Sequence, residues 1–306
     1  MRRIILILIP LLFIETTDAC NILSLSGGGA HGAFQAGVLK KLHQQGKKWD
    51  IITGISVGSI NGIGLSLFTA PEQEKGIELL ETIWTNITTS DVYRWNWNPI
   101  GDQSLLDNSP LNKTLIDVIK LYGGRASRRV LIGSVNLNTG LLRLFDQSEF
   151  SYASRTAQIV MASSAIPVVF PPAYLDGNYY VDGGTFSNEL IRPAIKDCLS
   201  KGYYKSDINI DVIICSPPIQ NITNKEIQSD YIFGLISRAY DILANAISNH
   251  ELYTVCGVDQ ESYPLRIYKP YLPYPGGLLD FDHSNLVKMF DVGYNIKGPS
   301  IGKYCY

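Results

Sequence analysis

Short apolar runs closed by glycine or a polar turn alternate with stretches whose apolar positions recur every three or four residues. Asn21-Ile22-Leu23-Ser24-Leu25-Ser26 has the length and continuity of a buried strand, and Gly27-Gly28-Gly29 breaks it. Phe34, Val38, Leu39 and Leu42 then predict a helix over 30–45, with Gly46 as its stop signal. Trp49-Asp50-Ile51-Ile52-Thr53 predicts a second strand leading into Gly54, and the small-residue stretch 59–68 predicts a helix able to pack closely on a sheet. Strand, glycine loop, helix, strand, tight turn and helix in succession mark a parallel α/β sheet.

From Pro71 to about Ser127 the pattern changes to helices and polar turns, with Ile77, Leu80 and Trp84 at helical spacing and an aromatic stretch Tyr93-Arg94-Trp95-Asn96-Trp97. This segment predicts an insertion over the active edge of the sheet. Its tryptophans serve either as loop anchors or as contacts for membrane or acyl chains. Ser109-Pro110, with Leu111, Leu115 and Val118, restarts a helix. Beyond it, strands over 130–135 and 140–145 join through Asn138-Thr139-Gly140, and a helix over 154–163 precedes Pro167. The prolines make 167–172 an expected extended, rigid loop. Tyr179-Tyr180-Val181 is a short strand delivering Asp182-Gly183-Gly184. Strands over 208–215 and 265–268 and helices over 229–250 and 284–295 complete the pattern, without repeats or a clear linker.

Composition narrows the class. The 306 residues are 45% hydrophobic and 18% charged, which suits one large globular domain or at most two. A net charge of -2 with no dense basic run gives a nucleic-acid partner no electrostatic support. The basic cluster Arg125, Arg128 and Arg129 reads as solvated. Met1-Arg2-Arg3, an apolar run over 4–14 and a polar stretch ending at Ala19 have the three-part layout of a secretory signal peptide, too short for the roughly 20 residues of a membrane span. Residues 1–19 are thus expected to be an export signal and 20–306 the domain. Cys20 invites a lipoprotein reading, but Thr17-Asp18-Ala19 lacks the apolar residue at the start of a lipobox. Five cysteines leave at least one unpaired; export permits disulfides without fixing their pairing, and Cys215 reads as a buried thiol. The absence of C-x-x-C and H-x-x-x-H spacing argues against a structural zinc, and no cofactor is expected.

Gly54-Ile55-Ser56-Val57-Gly58 carries the chemistry. A strand turning abruptly into a helix holds Ser56 as a nucleophile at the helix N-terminus, and glycines two positions either side let the neighbouring chain pass closely. Gly27-Gly28-Gly29-Ala30-His31-Gly32 is a loop whose free N–H groups can face an oxyanion. The same loop matches the dinucleotide fingerprint G-x-G-x-x-G, yet Asp50 begins its strand, whereas a ribose-binding acid belongs at a strand's carboxyl end. Asp182 ends a strand with glycines after it, which lets its carboxylate reach a cleft.

Glycine loop, G-x-S-x-G elbow and D-G-G, together with Ala162-Ser163-Ser164-Ala165-Ile166-Pro167 and Phe170-Pro171-Pro172, come in one order over about 21–190. This set resembles the patatin-like phospholipase family. Leu190 stands where many members have proline. The resemblance implies a three-layer α/β/α fold with a central, mostly parallel sheet. It also implies an oxyanion hole at Gly27, Gly28 and Gly29, supported by Gly32, Gly54, Gly58, Gly183 and Gly184. Ser56 and Asp182 would form a catalytic dyad. Asp182 then takes the serine proton directly, so its basicity must be lifted above the ordinary pKa of about 3.9 or the oxyanion loop must carry more of the barrier. The rival is a relay through His250 or His283 in α/β-hydrolase order. His31 shapes or charges the glycine loop. The expected activity is a secreted hydrolase cleaving fatty-acyl esters of phospholipids or other polar lipids through an acyl-enzyme, with transient contact at a membrane surface. A lipid-binding or storage protein on the same fold, and acyl transfer to an alcohol, are the alternatives.

Overall fold

The computed structural model describes residues 19–224, 231–256, 263 and 265–301, so the expected export signal up to Asp18, the expected start of the 229–250 helix, and Cys305 lie outside it. In chain order come β1 (Cys20–Leu25), α1 (Gly32–Gln44), β2 (Ile51–Ile55) and α2 (Val57–Ser66). The insertion follows: α3 (Gln73–Trp84), the single turn α4 (Thr89–Val92), the ribbon β3 (Arg94–Trp95) with β4 (Leu106–Asp107), and α5 (Ser109–Leu121). Next are β5 (Arg129–Asn136), β6 (Leu141–Asp146), α6 (Ala153–Ser163), β7 (Ala173–Leu175), β8 (Asn178–Asp182) and α7 (Ile191–Ser200). The chain closes with β9 (Ile208–Ile213), α8 (Ile232–Cys256), β10 (Leu265–Tyr268), α9 (His283–Tyr294) and β11 (Ser300–Ile301).

The sheet runs β11-β10-β9-β1-β2-β5-β8-β7, with β6 also paired to β5. Its central strands β10, β9, β1, β2 and β5 are parallel, and β6, β7, β8 and β11 add antiparallel pairs towards the edges. Successive side chains leave a strand on opposite faces, so a sheet buried on both sides must be predominantly apolar. Leu23, Leu25 and Ile52 pack with Phe34, Leu39 and Phe290 on one face. Ile22, Ile51, Ile210 and Val212 pack with Ile191, Ile195 and Leu252 on the other. Helices therefore cover both faces, which is the three-layer arrangement the resemblance implied.

A disulfide joins Cys20 to Cys198, tying β1 to α7. With its sulfur in that bond, Cys20 has no free thiol for a lipid thioether. Cys215 is a buried free thiol, as its apolar run suggested. Two expectations need correction. Residues 167–172 are not an extended loop: the N–H groups of Val169 and Phe170 both return to the Ile166 carbonyl, and Val168 takes a positive φ of 70°. The prolines at either end permit this turn, because each restricts only its own residue and the one before it. Nor is the basic cluster uniformly solvated. Arg128 is buried and donates to the carbonyls of Leu65 and Trp49 and to Gln73 Oε1, while Arg129 pairs with Asp197 at 2.7 Å. Charge on neighbouring residues of one chain does not reveal which side chains the folded core will claim.

Candidate active site

β5 brings the two ends of the site together. Ile55 of β2 lies opposite Gly133, and the next residue, Ser134, lies opposite Asp182 of β8. Ser56 and Asp182, 126 positions apart in the numbering, therefore emerge side by side from strands flanking β5. β1 lies on the other side of β2, with Leu25 opposite Gly54, and feeds the glycine loop towards the same point.

Ser56 occupies the N-cap of α2 with φ 52° and ψ -124°, a conformation that costs a non-glycine residue about 1–3 kcal/mol. The strain is held by close backbone packing. A β carbon on Gly54 would lie 2.2 Å from the Gly58 carbonyl oxygen, and one on Gly58 2.2 Å from that of Leu25, so neither position accepts a side chain. Ser163, the last residue of α6, pins the elbow by accepting the Ser56 N–H at 2.9 Å and donating to the Gly133 carbonyl at 2.7 Å. Its segment was legible only through resemblance; nothing in its spacing marks Ser163 as a support.

Asp182 is fully buried. Its Oδ1 accepts the Gly184 N–H at 2.7 Å, whereas Oδ2 has no conventional hydrogen-bond partner among the described residues. Burial pushes its carboxyl pKa up to about 7, opposed by the nearby Ser56 hydroxyl and the Gly184 N–H. Such a group is half ionised near neutrality and is a far better proton acceptor than an exposed aspartate.

The glycine loop is divided. Gly27 gives its N–H to Asn188 Oδ1 at 3.1 Å, which corrects the expectation that all three glycines present free donors. Among the described residues the N–H groups of Gly28 and Gly29 have no such partner, and these two have φ of 152° and 53°. Ala30 donates to Leu278 and His31 to Gly28, fixing the turn. Gly32 opens α1 against Val57 and Trp84, and Gly183 sits close against the Gly133 carbonyl. His31 is buried against Tyr274, ring centroids 4.7 Å apart, with both ring nitrogens unpartnered among the described residues. Burial lowers its pKa to about 4, so it shapes the loop and does not charge it at neutral pH. His250 and His283 are exposed, and no hydrogen bond joins either to Asp182 among the described residues.

A narrow apolar cavity of about 50 Å³ opens at Ser56, walled by Val57, Ile60, Trp84, Ile166, Phe170 and Phe281. At Leu279 it meets a wider groove of about 780 Å³, lined by Tyr93, Trp95 and Phe233 together with Arg94, Arg238 and Asp241. The insertion thus lies over the site as its pattern suggested, and Tyr93 anchors it by donating to the Leu279 carbonyl at 2.8 Å. Trp95 meets Phe233 edge-on while Trp97 is exposed. No group of acidic, histidine and cysteine residues able to hold a metal occurs among the described residues.

The chain is similar in sequence to known proteins. A cGAMP-activated phospholipase of Escherichia coli is 29% identical over 194 residues, covering 55% of this chain and 52% of that one. One from Vibrio cholerae is 30% identical over 201 residues, covering 55% and 54%. A protein of invertebrate iridescent virus 6 named "Probable lipid hydrolase 463L" is 27% identical over 198 residues, covering 60% and 67%. The chain spans about half the length of the two bacterial relatives. The profile of the family described as Patatin-like phospholipase matches residues 23–195, a stretch that holds the glycine loop, the Ser56 elbow and Asp182, and the chain belongs to that family.

Proposed function

We propose that this chain is a lipid acyl-hydrolase in which Ser56 attacks a fatty-acyl ester and Asp182 serves as the base. The observation that carries the reading is the pairing of a strained, helix-capping serine with a buried carboxylate that has one oxygen unpartnered among the described residues and a pKa of about 7. Asp182 Oδ2 takes the Ser56 proton as Oγ bonds to the ester carbonyl carbon. The resulting oxyanion is met by the Gly28 and Gly29 N–H groups; losing one such donor costs about 3–4 kcal/mol of transition-state stabilisation. The C–O bond to the alcohol then breaks, and the leaving oxygen takes the proton from Asp182. Water repeats the sequence on the acyl-enzyme, giving up a proton to Asp182, which returns it to Ser56 Oγ as fatty acid departs.

The apolar lining of the small cavity at Ser56 suits the carbons of an acyl chain nearest the ester, and the adjoining groove with its arginines and aromatics suits a polar headgroup. That pairing favours phospholipids or related polar lipids presented at a membrane surface. Export is part of the proposal, supported by the charged, apolar and polar succession of the first residues and by the Cys20–Cys198 bridge.

The test is fatty-acid release from phosphatidylcholine vesicles together with labelling by a fluorophosphonate. Ser56→Ala and Asp182→Asn should each abolish release, and Ser56→Ala should abolish labelling. His250→Ala and His283→Ala should leave both intact. Loss of activity in a folded histidine variant would replace the dyad by a relay. Lipid binding by a wild-type protein whose Ser56 stays unlabelled would replace hydrolysis by storage.

A further inference from the structure

From Tyr240 onward one face of α8 is buried, with Tyr240, Ala244, Ser248, Leu252 and Val255 recurring at three- and four-residue spacing. Its register is set beside the site. Glu251 accepts the N–H groups of Asn188 and Glu189 at 3.0 and 2.8 Å and the hydroxyl of Ser187, and Ser248 Oγ accepts Asn188 Nδ2 at 2.9 Å. The same Asn188 holds the Gly27 N–H, so helix, glycine loop and Asp182 turn are tied together.

About two turns before Ser248, Tyr240 enters the gap between Gly27 and Gly184. A β carbon on Gly184 would lie 2.8 Å from the phenol oxygen; one on Gly27 would lie 3.1 Å from that oxygen and 3.2 Å from Ser56 Cβ. The hydroxyl therefore occupies space beside Ser56 that two absent side chains leave open. Tyr240 is more than nine-tenths buried, and its oxygen has no conventional hydrogen-bond partner among the described residues. A buried hydroxyl left this way is unfavourable unless another state of the site satisfies it. Burial and then the Asp182 charge hold the phenol well above the usual tyrosine range, with the Ser56 hydroxyl opposing. At working pH it is a neutral O–H donor and not a base.

We propose that Tyr240 is a third catalytic residue, whose O–H donates to Ser56 Oγ and turns the serine proton towards Asp182 Oδ2. Such hydrogen bonds are often long before substrate binds and tighten in the reactive complex. During acylation the serine proton passes to Asp182 while the phenol keeps its own. In deacylation the acyl carbon–Oγ bond breaks, its electron pair returns to Oγ, and the phenol hydrogen bond holds that oxygen until Asp182 gives the proton back.

This role rests on the proposed Ser56 chemistry, and the experiment separates the two. Tyr240→Phe, which removes one oxygen, is compared with wild type and Ser56→Ala using a p-nitrophenyl fatty-acyl ester, fluorophosphonate labelling and thermal unfolding. Both kcat and the labelling rate should fall by about tenfold or more, with KM within about twofold. The unfolding midpoint should hold or rise, because the variant no longer buries an unpartnered hydroxyl. Wild-type kcat and labelling in Tyr240→Phe would overturn the role. So would a kcat loss accompanied by a lower midpoint, which would return Tyr240 to packing. A wild-type protein that neither labels nor hydrolyses would remove the hydrolase reading and this role together.

Discussion

Asp182→Asn should cost activity and gain stability, and the size of the gain follows from the burial of the carboxyl. Its pKa is raised from the ordinary 3.8 to about 7 in the folded chain. Below the unfolded value both states hold the proton and the group is neutral in the balance. Between the two values the unfolded chain ionises while the folded chain stays protonated, so the native state binds more protons and loses stability as pH rises. Above the folded value the loss levels off. At roughly 1.4 kcal/mol for each tenfold difference in proton affinity, the plateau is about 4 kcal/mol. Asparagine does not titrate, its carbonyl can still accept the Gly184 N–H, and its amide can donate towards Ser56. Buried Glu189, its carboxyl raised by desolvation and by the charge of Glu251, also contributes to the pH dependence, but it is common to both proteins and cancels in the difference. Urea unfolding of the two proteins from pH 4.5 to 8.5 is the assay. The variant's advantage should be small at the acid end, grow towards pH 7 and then hold constant, with equal m-values. An advantage that does not change with pH, or a variant less stable than wild type at pH 8, would refute the claim that burial lifts this carboxyl.

Two further expectations rest on the same physics. Ester hydrolysis by wild type should rise with pH through an apparent pKa near 7 and then level, since Asp182 must be ionised to accept the serine proton; a kcat/KM profile already flat from pH 5 would exclude it as the base. Arg128→Met keeps the apolar stem but strands the Leu65 and Trp49 carbonyls and Gln73 Oε1, and denaturant unfolding should register a loss of about 2–3 kcal/mol.

Legibility in the sequence followed the range of each interaction. The elbow was readable because its pattern is local: Gly54 is required by the Gly58 carbonyl four residues on, and the strand–turn–helix succession around Ser56 lies within one short stretch, while the crowding at Gly58 comes from Leu25 of β1. The β5–β6 hairpin was readable through its turn. In the neighbouring hairpin β8 was readable at 179–181 but its partner β7 was not, although Asp176 and Gly177, both at positive φ, are a two-residue turn signal between them. The fold class followed from alternation of elements, but the disulfide did not, because Cys20 and Cys198 meet only when α7 packs on β1.

The site itself divides along the same line. Ser56, Asp182 and the glycine loop lie at strand ends, where motif and position coincide. Their supports come from docked elements: Ser163 from the end of α6, Asn188 from the turn before α7, and Tyr240 from the middle of α8. A tyrosine within an apolar helical stripe carries no local sign that its oxygen will face a serine. Its placement depends on Glu251 and Ser248 setting the register of α8, more than 180 residues beyond the elbow. The part of the chain beyond the family match, from 196 onward, therefore does more than complete the sheet. It closes the gap beside Ser56 with a single hydroxyl, and for that reason the chemistry of the site cannot be read from the matched motifs alone.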